Sequence, residues 1–123
     1  MQTTAFLAAL ALAANLASAH AETCIASQYG VGDGYHGKPV ACAGYGRFNT
    51  YARDPFTVAH KDRRRFPCGS KMRITSLDNG RAIVAVVTDR GPFVAGRCVD
   101  VGRAGAEALG MGGLARVRVE RID

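Results

Sequence analysis

The sequence predicts a small, mainly β protein closed into a barrel. Three observations carry that reading: the apolar run Ala82-Ile83-Val84-Ala85-Val86-Val87, two segments that alternate polar with apolar residues, and glycine-rich stretches where the chain must turn or cross. Ile25 to Tyr29 reads as the first strand, and Val31 to Gly46, rich in glycine, as a long irregular segment crossing the barrel mouth. Lys71 to Leu77 alternates as a half-buried strand does, and Asp78-Asn79-Gly80 supplies a hairpin turn into the buried run, which ends at Thr88. Arg103 to Leu109 has helical spacing and closes on Gly110, a residue that readily takes the left-handed conformation of a helix C-cap. Leu114 to Arg121 alternates again as the last strand.

The buried run stops at a carboxylate and a guanidinium, in Thr88-Asp89-Arg90-Gly91-Pro92-Phe93. Gly91-Pro92 forces a turn there, so Asp89 sits at the rim of a barrel or sheet, where a carboxyl group is placed for proton transfer. The plainer reading is that Asp89 caps the turn and pairs with Arg90.

The N-terminus points to export. Ala5 to Ala14 is an almost unbroken apolar run, too short for a permanent membrane helix, and Ala17-Ser18-Ala19 and Ala19-His20-Ala21 both fit a signal-peptidase site. Residues 1–21 are therefore expected to be a cleaved signal peptide and 22–123 one domain, secreted or periplasmic and monomeric, with no stable membrane anchor. Cys24, Cys42, Cys68 and Cys98 all fall in that domain. An even count in a small exported domain implies structural disulfides, with three pairings possible, and the lack of a Cys-x-x-Cys pair speaks against a metal or redox site. No cofactor is expected. The formal charge of +6, partly concentrated in Lys61-Asp62-Arg63-Arg64-Arg65, favours encounter with anionic polymers. Nucleic acid is not the expected partner, because no basic helical stripe or aromatic-rich nucleic-acid signature accompanies the charge.

A series of short motifs runs through the chain in one order: Tyr29-Gly30, Tyr35-His36-Gly37-Lys38, Arg47-Phe48-Asn49, Thr57-Val58-Ala59-His60, Phe66-Pro67-Cys68-Gly69-Ser70, Asn79-Gly80-Arg81, the run around Asp89, and Gly96-Arg97-Cys98-Val99-Asp100-Val101. Together they resemble the rare lipoprotein A family of septal lytic transglycosylases, whose domain is a six-stranded double-psi β-barrel with one or two short helices. The resemblance implies an exported enzyme acting on peptidoglycan glycan strands and leaving anhydro-muramic acid ends. It implies Asp89 and His60 as catalytic residues, and Tyr35, His36, Phe48, Arg90 and Arg97 along the substrate groove. It also places the Cys68 loop near the strand holding Cys98, which implies a Cys68 to Cys98 bridge and leaves Cys24 for Cys42.

One position departs from the family pattern. A Glu ordinarily precedes Arg-Phe-Asn, and Gly46 stands there in this chain. Glycan cleavage needs an acid for the leaving oxygen and a base for the attacking hydroxyl. The alternative expectation is therefore a non-hydrolytic wall-binding barrel, similar to the expansins, whose Ala-Cys-Gly-Tyr-Gly run Cys42-Ala43-Gly44-Tyr45-Gly46 also resembles. Asp100 occupies an acidic position in both groups, with a structural role within the barrel as the expectation.

Overall fold

A computed structural model describes residues 21–30 and 32–123. The expected export segment lies outside the described residues, except for Ala21, which opens the first strand. The strands are β1 (Ala21–Tyr29), β2 (Phe56–His60), β3 (Lys71–Ser76), β4 (Ala82–Asp89), β5 (Arg97–Gly102) and β6 (Leu114–Arg121), with one helix, α1 (Arg103–Leu109), between β5 and β6. They close into a six-stranded barrel in the order β1-β5-β2-β4-β3-β6, so the expected fold class holds.

Closure requires two parallel pairings, β1 with β5 and β2 with β4, and these join strands distant in sequence. The glycine-rich crossing before β2 is long because it links β1 to a strand that is not its neighbour, β5 lying between them, so no tight hairpin can serve. The β3–β4 pair is the local antiparallel hairpin that Asp78-Asn79-Gly80 predicts, with Gly80 at φ 76°. Gly110 ends α1 at φ 66° and its amide bonds to the Glu107 carbonyl, again as expected.

Alternation divides each strand between an apolar interior and an outer face. Ala26, Val58, Met72, Ile74, Ala85, Val87, Val99, Val101, Val117 and Val119 are fully buried inside the barrel, and Leu109 and Phe66 extend this core toward the helix and the loop after β2.

All four cysteines are paired, as expected, but the partners are Cys24 with Cys98 and Cys42 with Cys68, with Cα separations of 5.8 and 5.7 Å. The implied Cys68–Cys98 and Cys24–Cys42 pairing is thereby corrected. Its reason lies in the parallel register: Ile25 pairs with Arg97 and Ala26 with Val99, which puts Cys24 beside Cys98 on the neighbouring strand. Cys42 and Cys68 meet because both of their loops dock on the end of β4, the Cys42 amide on the Thr88 carbonyl and the Gly69 amide on the Val87 carbonyl.

Candidate functional site

Three neighbouring strands bring Asp89, Ala59 and Asp100 into one row. Ala59 on β2 pairs with Asp89 on β4 and with Asp100 on β5, so the two carboxylates flank a methyl side chain on the same face of the sheet. Two strand spacings separate their backbones by about 10 Å. Val58, Val99 and Val101 point inward, so this row faces outward, beneath the segment that precedes β2.

That segment forms a flap. Phe48 donates its amide to the Lys38 carbonyl and Gly37 to the Phe48 carbonyl, folding residues 37–48 back on themselves with a bridge between Pro39 and Arg47. Gly30 and Tyr35 both donate backbone amides to the Asp33 carboxylate, which fixes the entry to the flap. The flap is pinned to the barrel by the Cys42–Cys68 disulfide and by the Ala41 amide, which donates to Asp89 Oδ1 at 2.6 Å. The result is a cleft of about 250 Å³ lined by Tyr29, Tyr35, Phe48, Ala59, the segment Asp89 to Phe93, and Asp100.

The two carboxylates have different surroundings. Burial pushes the Asp100 carboxyl up to about 6, reinforced by Asp33 and Asp89 and opposed by the Ser27 hydroxyl and by Arg97. Ser27 Oγ donates to Asp100 Oδ1 at 3.4 Å. Asp89 is held by its backbone amide donor, and its second oxygen has no hydrogen-bond partner among the described residues. Tyr29 closes the floor of the cleft: its ring meets Phe48 edge-on at 5.0 Å, and its hydroxyl lies 2.8 Å from Thr57 Oγ1. Burial pushes that phenol up to about 12, so it stays protonated.

Of the residues expected in the groove, Tyr35, Phe48 and Arg90 line the cleft with Asp89, whereas His60, His36 and Arg97 do not. Arg90 does not pair with Asp89. Its Nη1 donates to the His60 and Phe66 carbonyls at 3.2 and 2.7 Å, clamping the loop after β2. His36 Nδ1 lies 3.1 Å from Thr50 Oγ1 and serves the flap. Arg97, at the start of β5, acts on Asp100 through its charge.

His60 follows Ala59 and therefore points to the opposite face of β2, into the barrel end. It is 1% exposed, packed 4.3 Å from the Phe66 ring. Its Nδ1 accepts the Asp62 amide at 3.0 Å, so the neutral ring carries its proton on Nε2 and donates to Glu22 Oε1 at 2.7 Å. Burial lowers its pKa, and the contacts to Glu22 only partly offset that. Arg65 completes the group, 3.5 Å from the Glu22 carboxylate.

His60→Ala is accordingly expected to cost about 3 kcal/mol of stability, by leaving a cavity and unpartnered groups on Glu22 and Asp62. Any catalysis in the cleft, measured per folded molecule, should fall far less than in Asp89→Asn. Urea unfolding beside a product assay checks this; an unchanged unfolding curve with activity lost would assign His60 to the chemistry.

Asp100, expected in a structural role, lines the cleft together with Asp89. Its alternation with Val99 and Val101 was a visible signal, since it places a carboxylate on the face opposite the core, but its alignment with Asp89 appears only once β2 lies between them. Glu22, Cys24 and Cys98 cluster closely enough to suggest a metal site, yet both sulfurs are spent in a disulfide, leaving one carboxylate.

With the geometry in place, the known proteins most like this chain can be compared. No family model matches it. It is 45% identical over 98 residues to the probable endolytic peptidoglycan transglycosylase RlpA of Nostoc sp., covering 78% of this chain and 24% of that protein. Its relatives are the RlpA proteins. The RlpA of Pseudomonas aeruginosa, named an endolytic peptidoglycan transglycosylase, is 40% identical over 111 residues, 89% of this chain and 30% of that one. The chain thus spans about a quarter to a third of the curated RlpA relatives that it matches. Among solved structures, the Clavibacter michiganensis expansin superposes with a TM-score of 0.60 at 18% identity, over 84% of this chain and 50% of its own, a likeness of fold. The resemblance to the rare lipoprotein A barrels is borne out, and the expansin fold is its structural neighbour.

Proposed function

We propose that this RlpA-like barrel is an exported lytic transglycosylase that cuts peptidoglycan glycan strands with Asp89 and Asp100 as its acid/base pair. The observation that carries the reading is the pair of carboxylates on one face of the cleft, set apart by Ala59 and held in unlike surroundings. Asp100, raised to about 6, exchanges its proton just below neutrality, and its protonated form gives that proton to the leaving glycosidic oxygen. Asp89 takes the proton of the sugar hydroxyl that attacks the anomeric carbon, the C–O bond to the leaving sugar breaks, and an anhydro ring closes. The two carboxyls have then exchanged protonation states, and solvent restores them. Asp100 thereby supplies the second carboxylate that Gly46 does not. His60 acts as a positioning residue through the loop whose carbonyls hold Arg90. Tyr35, Phe48 and Phe93 offer ring faces for sugar stacking; Phe93 is 78% exposed at the rim. The names of the RlpA relatives support the substrate, and two disulfides support a compartment outside the cytoplasm.

The second reading, a barrel that binds glycan without cutting it, draws on Gly46. Its φ of 79° disfavours any side chain, although the space around it is open. Digestion of purified peptidoglycan, with and without stem peptides, followed by analysis for anhydro-sugar ends separates the two. The enzyme reading expects anhydro-ended fragments from at least the denuded strands. Sedimentation with both substrates but release from neither would establish the binding module.

A further inference from the structure

We propose that the outer face formed by β3 and β6 docks the protein reversibly on a membrane surface bearing anionic phosphate headgroups. In the order β1-β5-β2-β4-β3-β6, strands β3 and β6 lie diametrically across the barrel from β5 and β2, which carry Asp100 and Ala59. The cleft and this face therefore look in opposite directions.

The face is a clean product of alternation. On β6, Leu114, Arg116 and Arg118 are exposed while Ala115, Val117 and Val119 are buried; on β3, Lys71 and Arg73 are exposed beside buried Met72 and Ile74. Cations dominate it. Glu120 is held by Arg73 at 3.2 Å and Asp123 by Arg121 at 2.9 Å, which leaves Lys71, Arg116 and Arg118 without a carboxylate partner among the described residues. Arg116 and Arg118 project side by side about 7 Å apart, each presenting a planar fork suited to a phosphate.

Apolar side chains surround these cations. Leu77 is 44% exposed, Leu114 53% and Val84 44%, and the Leu77 amide donates to the Arg116 carbonyl, which sets Leu77 next to that arginine. Val84 pairs with Arg73 across the β3–β4 ladder. An outer barrel face that mixes unpaired cations with exposed leucines matches a headgroup layer, where arginines meet phosphates and leucines enter the interface. A soluble polyanion would use the charge and leave the leucines in water. Docked this way, the protein presents its cleft away from the lipid.

Co-sedimentation of the full exported protein with phosphatidylcholine vesicles, with and without phosphatidylglycerol, tests the proposal. Binding is expected only with phosphatidylglycerol and should fade as salt rises. The triple variant Lys71→Gln/Arg116→Gln/Arg118→Gln should lose about a hundredfold in partitioning, and Arg116→Gln/Arg118→Gln about twentyfold should the triple misfold by circular dichroism. Leu77→Ser/Leu114→Ser, with charge unchanged, should also weaken binding, whereas Arg63→Gln/Arg64→Gln in the loop after β2 should leave it above the triple variant. Parental binding by the triple or the double arginine variant would overturn the proposal. So would a polyglycerol phosphate in solution binding as tightly as the vesicles, with the leucine variant unaffected, which would hand the face to a soluble polyanion.

Discussion

Asp100→Asn is expected to remove glycan cleavage while making the protein more stable at neutral pH, and Asp89→Asn to remove cleavage as well. Each change keeps the shape of the side chain and deletes the titrating proton, so release of anhydro-ended fragments should fall by about 10²- to 10⁴-fold. The stability gain follows from the Asp100 carboxyl. Its carboxyl stands at about 6 in the fold against 3.8 for the ordinary group, because burial penalises the charged form. The folded state therefore holds this proton more tightly than the unfolded chain. Its contribution to stability is full below the ordinary carboxylate value and is lost as pH rises toward 6, leaving a cost of about 2 kcal/mol at neutrality. An amide at this position carries no such cost. Urea unfolding of parent and variant between acid and neutral pH should show curves that diverge across that window, with the variant ahead at the upper end. A site that is more stable when its chemistry is removed is what a functional carboxylate looks like. Cleavage by Asp100→Asn at the parental rate would return Asp100 to a structural role and end the two-carboxylate mechanism.

Breaking the Cys24–Cys98 bridge should have the largest effect on the fold. The bridge spans 74 residues, against 26 for Cys42–Cys68, and ties β1 to its parallel neighbour β5. In the chain-entropy account a closure of that length restricts the unfolded state by about 4 kcal/mol, and the shorter one by somewhat less. Cys24→Ala/Cys98→Ala should therefore lower the urea midpoint of the whole domain. Cys42→Ala/Cys68→Ala should do so less and should instead loosen the flap, raising the substrate concentration needed for half-maximal cleavage. Peptide mapping of the exported protein gives a direct check, since it should recover Cys24 joined to Cys98. Recovery of Cys68 joined to Cys98 would contradict the strand register on which this account of the barrel rests.

Local pattern carried much of the fold. The Lys71 and Leu114 segments were legible as strands because alternation with period two marks a surface wet on one side and apolar on the other. α1 was legible through its spacing and its glycine stop. β2 and β5 were harder: Phe56–His60 and Arg97–Gly102 are short, and Val58, Val99 and Val101 read as strand residues only when the partners on both sides are known. The motif order supplied Asp89, Tyr35, Phe48 and Arg90, all of which line the cleft.

By itself the sequence determined the alternating strands, the β3–β4 hairpin, the helix with its glycine stop and a carboxylate at the end of a buried strand, because each is written in residues close together along the chain, while the barrel and its groove residues came from the order of the motifs. The tertiary structure alone decided which cysteine meets which, that His60 turns into the barrel end toward Glu22, and that Asp100 stands across Ala59 from Asp89. Those outcomes depend on the register of parallel strands far apart in sequence, where a shift of one residue exchanges the inner and outer faces, and no local pattern encodes that register.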